Sequence, residues 1–428
     1  MIKRILASIV GIGIVVIAIA AIVVWKPSLP ETKTPAPDSF SQQQIDKGRV
    51  LAGIGNCAAC HTENPDQPYA GGRPIPTPYG TIYTANITPD PTNGIGRWSE
   101  EAFARAMKEG VSRSGAHLFP AFPYTHFNNV RDDDIKALYA YLMNQTPVAS
   151  QPPANTLKFP YNVRMLQAGW KLLFFDDEPW QPVSDKSAQW NRGAYLAEGL
   201  GHCSSCHTPR NDFGAERDDA RYAGAMVDDW YAPALNADHT TPAPWTSEEA
   251  FNYLRTGGSA LHGVAVGSMA EVVHQGLARA SDDDIHALAT YFSDLGGAAD
   301  EPQDQAMMAA AKTIDAAHRN AAATLSRGEQ IYAKACAACH YNSADAPKAL
   351  RPEMSLNSAV NAPNPDNLIR VTLHGVSTED GLPGVMMPGF DSALSDEDLV
   401  SLVSFLRDTQ SSQPAWSNLS ERVRSLRH

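Results

Sequence analysis

The sequence predicts an all-α chain: three small helical domains in tandem, behind an N-terminal transmembrane helix. Three observations carry this. The start of the chain holds a long apolar run, a helical pattern recurs three times along the remainder, and all six cysteines fall into three identical spacings. The length of 428 residues suits about three domains of ordinary size. With 43% hydrophobic and 19% charged residues, the composition is that of a globular protein. The formal net charge of −13, with no basic tract, argues against nucleic acid as a partner.

The elements follow in order. Ile5 to Trp25 is apolar apart from Ser8 and two glycines, and Lys3 and Arg4 precede it. About twenty apolar residues span a bilayer as a helix, and basic residues stay on the cytoplasmic side. Residues 1–26 are therefore expected to be an anchor at a bacterial inner membrane, with the rest of the chain on the periplasmic side. A cleaved signal peptide is the alternative, since Ala18-Ile19-Ala20 resembles a cleavage site. Residues 27–40, rich in Pro, Ser and Thr, read as an extended tether.

Residues 41–146, 190–299 and 324–408 form the three repeats. Each opens with a helix containing Gly48-Arg49-Val50-Leu51, Gly193-Ala194-Tyr195-Leu196 or Gly328-Glu329-Gln330-Ile331, and continues into a cysteine motif. The first two carry a middle helix announced by Trp98-Ser99-Glu100-Glu101 and Trp245-Thr246-Ser247-Glu248. All three close on a helix whose start is acidic, at Asp132-Asp133-Asp134, Ser281-Asp282-Asp283 and Ser395-Asp396-Glu397. A Ser or Asp cap with first-turn carboxylates matches the positive helix end, and apolar residues then recur at helical spacing, as in Ile135, Leu138, Tyr141 and Leu142. Residues 147–189, with Trp170, Phe174, Phe175 and Trp180, are a linker that packs repeats one and two, or else a docking surface for a partner. Residues 300–323 are a second linker, helical or mobile. In the tail, 409–428, Leu419, Val423 and Leu426 alternate with Arg422, Arg424 and Arg427, as in a helix lying on a membrane surface; a solvated tail is the alternative.

The motifs are Cys57-Ala58-Ala59-Cys60-His61, Cys203-Ser204-Ser205-Cys206-His207 and Cys336-Ala337-Ala338-Cys339-His340. Cys-x-x-Cys-His is the attachment signature of c-type haem. Two thiols three positions apart share one side of a helical turn and reach both vinyl groups of one haem. The following histidine then meets the iron. A lone motif is compatible with a redox pair or half a zinc site, but three that consume every cysteine are not. The expectation is three cytochrome c domains with three covalently bound haem c groups.

The opposite iron ligand in such proteins is Met or His, and Met raises the potential. In the third repeat Met387 lies 12 positions before Leu399 and is preferred to Met386. In the second, Met269 lies 16 before Ile285 and is preferred to Met226. In the first, Phe122 stands 13 before Ile135, where a Met is expected, and phenylalanine cannot ligate iron. His126 is the preferred donor there, with His117 or an open site as alternatives. Met107 and Met143 look like core residues. Two imidazoles would give the first haem the lowest potential.

At this point the chain resembles the triheme cytochrome subunits of membrane-bound periplasmic dehydrogenases of acetic acid bacteria. The residues that carry the resemblance are the three motifs, Gly115-Ala116-His117-Leu118-Phe119-Pro120-Ala121-Phe122-Pro123-Tyr124, Gly169-Trp170-Lys171-Leu172-Leu173-Phe174-Phe175, and Cys206-His207-Thr208-Pro209-Arg210-Asn211. The resemblance implies a chain that accepts electrons from a catalytic subunit and passes them to ubiquinone. Phe122, in place of the Met usual in partners of pyrroloquinoline quinone alcohol dehydrogenases, is similar to subunits that accompany molybdenum hydroxylases acting on aldehydes or N-heteroaromatics. That implies a molybdopterin and iron–sulfur partner; a pyrroloquinoline quinone or a flavin-linked, gluconate-type partner is the alternative. Nothing in the chain resembles a substrate domain. Two further classes stay open: an enzyme whose first haem is catalytic, which Phe122 would permit, and a stand-alone electron carrier.

Overall fold

The computed structural model describes residues 24–298, 301–319, 326–340, 348 and 350–427. It separates into two compact units, one of residues up to Ala52 with Cys57–Trp180, the other of Gly53–Asn56 with Gln181–His428. The second unit holds both the second and the third repeat. Nearly all of the predicted anchor lies outside the described residues. Among those described, no helix is long and apolar enough to cross a membrane.

The first unit runs α1 (Gln42–Ile54), α2 (Cys57–His61), β1 (Pro74–Thr77), β2 (Gly80–Tyr83), α3 (Glu100–Glu109), α4 (Tyr124–Phe127), α5 (Asp132–Met143) and α6 (Leu166–Phe174). The predicted tether is extended but strapped down. The Leu29 N–H donates to the Arg113 carbonyl at 2.8 Å, and Glu31 pairs with Arg97 and Arg113. The first linker is largely built into this unit. Thr156 and Lys158 donate backbone N–H groups to the Thr81 and Tyr79 carbonyls, both at 2.9 Å.

The second unit continues with α7 (Ala188–Glu198), α8 (Ser204–His207), β3 (Ala225–Val227), β4 (Trp230–Ala232), α9 (Ser247–Thr256), β5 (Gly258–Ser259), β6 (Gly263–Val264), α10 (Ser268–Glu271) and α11 (Asp282–Leu295). It then runs α12 (Gln303–Arg319), α13 (Arg327–Ala335), α14 (Ala337–His340), α15 (Ser358–Asn361), α16 (Asp366–His374), α17 (Asp396–Gln410) and α18 (Leu419–Arg427). The second linker is thus helical in α12, whose Ala306 and Ala310 bury against Leu261 and Leu356. Repeats two and three are fastened further by a two-way bond between Asn367 and the Tyr231 backbone, each leg 2.8 Å, and by the Gly381 N–H donating to the Ala265 carbonyl at 2.8 Å.

One helix crossing recurs in every repeat. A methyl group at Gly48, Gly193 or Gly328 would run into the carbonyl oxygen of Ala137, Ala287 or Ser401, so only glycine lets the opening helix lie this close to the closing one. The preceding cation clamps the crossing: Lys47 to Asp134 at 2.6 Å, Arg192 to Asp284 at 2.7 Å, and Arg327 to Asp398 at 2.7 Å.

Several expectations are corrected. Beside the helices, β1–β2, β3–β4 and β5–β6 form three short antiparallel ribbons that were not expected, their strands of two to four residues being too brief to show period-two patterning. The side chains of Ser281 and Ser395 cap their helices as predicted, accepting from the N–H groups of Asp284 and Asp398. In the first repeat, Arg131 occupies the cap position and supplies no side-chain cap. The tail is neither solvated nor available to a membrane. Leu419, Val423 and Leu426 are buried in the third repeat's core, Arg422 pairs with the buried Asp366, and Arg427 with Asp391 and Asp396. An amphipathic stripe meets an intramolecular core as readily as a bilayer, and here α16 and α17 supply the core.

Candidate functional site: the Cys-x-x-Cys-His motifs

Each motif follows directly on its repeat's opening helix. In the first two, the residue before the cysteine turns left-handed: Asn56 has φ 48° and His202 φ 35°. This break ends the helix and starts the short turn that carries both cysteines and the histidine.

The ribbons missed in the sequence set the histidines. His61 Nδ1 lies 2.6 Å from the carbonyl of Ala85, just past β2, and His207 Nδ1 lies 2.7 Å from that of Pro233, just past β4. His340 Nδ1 is 3.2 Å from the Pro352 carbonyl. A carbonyl only accepts, so Nδ1 carries the proton in all three rings and Nε2 keeps its lone pair for a metal. Burial holds the three imidazoles below their usual pKa range, while the same carbonyls pull the other way. The motif turn is tied back in the same manner in two repeats, Gly71 and Gly224 donating to the His61 and His207 carbonyls, each at 2.8 Å.

Desolvation pushes the Cys57 thiol up to about 12 and that of Cys336 to about 11, with Cys60 and Cys339 adding to it; burial, Glu198 and Cys206 raise Cys203 further. Burial in apolar surroundings is what raises a thiol in this way.

In the second unit the predicted residues converge. One cavity of about 570 Å³ is lined by Cys203, Cys206, His207 and Met269, and by Cys336, Cys339, His340 and Met387. Its wall is mostly apolar. Of the alternatives, Met226 sits on β3, is 46% exposed and stands outside the lining, whereas Met386 lines the cavity too but, 68% exposed, turns outward more than Met387. Met387 is also held in register, exchanging two backbone hydrogen bonds of 3.0 Å with Val376. The bridge closes over Gly375, at φ 78°, where a side chain would strike the Met387 carbonyl.

Sequence reasoning overlooked His262. It is 3% exposed in the cavity wall and stacks on Trp245 at 3.6 Å; the Pro244 carbonyl is its nearest acceptor, yet neither ring nitrogen makes a well-formed hydrogen bond. A buried donor of this kind calls for a polar group on whatever fills the cavity. Trp245 was visible as the partner of Trp98 in the repeat, but its stacking role was not. Paired thiols, Nε2-directed histidines, an apolar chamber and an orphaned His262 together fit haem c.

In the first unit His126 lies buried on α4, beside an edge-to-face contact of Phe122 with Phe127 at 5.3 Å. His117 is engaged on both sides, Nε2 with the Val24 carbonyl at 2.9 Å and Nδ1 with Lys171 Nζ at 3.3 Å. That leaves His117 structural.

Fold and motifs together define the class as c-type cytochrome. Residues 45–146 match the cytochrome c family, and residues 323–406 match the family described as cytochrome c oxidase, cbb3-type, subunit III. Over 99% of its length the chain is 46% identical to a nicotinate dehydrogenase subunit of Pseudomonas putida, but it spans only 35% of that protein. It is 35% identical to the fructose dehydrogenase cytochrome subunit of Gluconobacter japonicus, over 87% of this chain and 80% of the relative. It is also 35% identical to the gluconate 2-dehydrogenase cytochrome c subunit of Pantoea cypripedii, over 92% and 91%. The chain belongs to the family of cytochrome c subunits of dehydrogenase complexes.

Proposed function

We propose that this chain carries three haem c groups and conducts electrons from a molybdenum-dependent catalytic partner to ubiquinone at the periplasmic face of the inner membrane. Cys57 and Cys60, Cys203 and Cys206, and Cys336 and Cys339 bind the haems. His61 with His126, His207 with Met269, and His340 with Met387 ligate the irons. Each iron takes one electron, so substrate oxidation releases two electrons singly into the chain, and a quinone leaves after receiving two with two protons.

The observation that carries the choice of partner is Phe122 in the first ligand slot, together with 46% identity to a nicotinate dehydrogenase subunit. Nicotinate is an N-heteroaromatic acid, which places N-heteroaromatics beside aldehydes among the first substrates to try. Purifying the chain gently from its native membranes and measuring molybdenum and haem tests this. About one molybdenum per three haems supports the proposal. Flavin or pyrroloquinoline quinone in its place overturns the choice of partner.

A further inference from the structure

The chamber of the second unit is mostly apolar, so its polar exceptions stand out. His262 lies in the loop between β5 and β6, and both its ring nitrogens are buried without a hydrogen-bond partner among the described residues. A second orphan stands beside it. Ser358, which opens α15 in the third repeat and lines the same chamber, has a buried Oγ that is likewise without a partner. The two meet across the seam of the repeats, the Ser358 N–H donating to the His262 carbonyl at 3.0 Å. Packing there is close: a Cβ on Gly263 would lie 2.8 Å from Asn357 Nδ2. Burying unpaired polar groups costs free energy, so a polar partner is implied.

The chemistry of that partner follows from the orphans. An imidazole N–H and a hydroxyl both donate, and together they suit an acceptor-only group such as a carboxylate. Haem is apolar apart from its iron and its two propionates. The irons of this chamber are assigned to His207 with Met269 and His340 with Met387, which leaves a propionate. The loop itself does not require the histidine. Gly110 and Gly257, which end α3 and α9, each accept at 2.8 Å from the N–H eight residues on, Leu118 or Ala265, so the two loops share one register. In that register the first repeat has Gly115 where the second has His262. The side chain appears where two motifs share a chamber.

We propose that His262 and Ser358 bind one haem propionate across the seam between repeats two and three, positioning that haem and raising its potential. This deepens the haem loading proposed above and rests on it. The stack on Trp245 at 3.6 Å holds the plane of the imidazole. The propionate's negative charge favours ferric iron, and hydrogen-bond donors offset it, so losing them lowers the potential.

The test is a spectroelectrochemical titration of the full haem-loaded chain, with resonance Raman spectra of the propionate bending modes, which respond to hydrogen bonding. His262→Phe keeps a ring on Trp245 but no donor, and Ser358→Ala removes only the hydroxyl. Each is expected to move a propionate band and to lower one of the three potentials. The ratio of reduced to oxidised haem at the old midpoint should fall by roughly twofold to fivefold. The same step should move in both variants, and His262→Gln, which keeps an N–H donor, should recover most of it. Met269→His and Met387→His mark the second and third haems by lowering their own steps. A match to either supports the proposal and names the haem that supplies the carboxylate. A shift confined to the first haem overturns it. So do unchanged bands and potentials in both variants, which would leave the two orphans to buried water. If His262→Phe does not accumulate, Ser358→Ala alone carries the test. Three haems per chain with unchanged bands refute the propionate site alone, whereas fewer than three in the unaltered chain refute the loading.

Discussion

Gly375→Ala is a small change with a calculable consequence. Gly375 ends α16 at φ 78° and ψ −165°, a conformation open essentially to glycine alone, and forcing alanine there costs about 1–3 kcal/mol. The new Cβ would also lie far inside 3.0 Å of the Met387 carbonyl, closer than real Cβ atoms come, so the Val376–Met387 bridge has to open. With it goes the register of the proposed third-haem ligand. Replacing Met by a weaker or absent ligand lowers the potential, and axial ligation spans about 0.8 V across haem proteins, so a fall on the order of 100 mV is expected for one of three redox steps. A spectroelectrochemical titration resolves it. Three unchanged potentials, with stability lowered by the strain alone, would refute the argument. A shift on Met386→Ala with none on Met387→Ala would show that the wrong methionine was chosen.

The remaining predictions concern the other sites. His126→Ala should alter the spectrum and potential of one haem, whereas His117→Gln should leave all three spectra intact; the reverse pattern would exchange the two roles. Arg422→Ala strands the fully buried Asp366 carboxylate and should cost the second unit about 3 kcal/mol in urea unfolding. Most of that should return on adding Asp366→Asn. His117 has its pKa depressed, by burial first and then by Lys171 and Lys26, against the Val24 carbonyl. The unfolded chain therefore takes up a proton near pH 6.5 that the folded chain refuses. The first unit should lose stability as pH falls below 6.5, the ordinary histidine value, and His117→Gln should flatten that dependence, as followed by denaturant midpoints.

How much of this was legible depended on the kind of signal. The motifs and the threefold repeat are local and periodic, so the stretches opening at Gly48, Gly193 and Gly328 marked their helices, but the close crossing that needs the glycines shows only in the fold. Met269 and Met387 were singled out by distance to the closing helix, and both line the cavity. The ribbons escaped because two- to four-residue strands have no period to read, although they supply the Ala85 and Pro233 carbonyls that fix the histidine tautomers. The tail was misassigned because an amphipathic helix does not declare what lies against its apolar side. His262 escaped for a related reason: a single histidine in a glycine-rich loop has no pattern, and its isolation appears only once the cavity is enclosed.

The chamber shared by the second and third motifs bears on biogenesis. Among the described residues no wall of protein separates the two attachment sites, so the apolar surface facing one haem is continuous with that facing the other. A chain that has received one of the two is left with half a lining open to water, a state that favours aggregation and proteolysis. The two attachments are therefore one event for quality control. A lesion in either cysteine pair should remove the whole second unit from the cell, and trimming the gene between these repeats is not a route to a smaller working cytochrome.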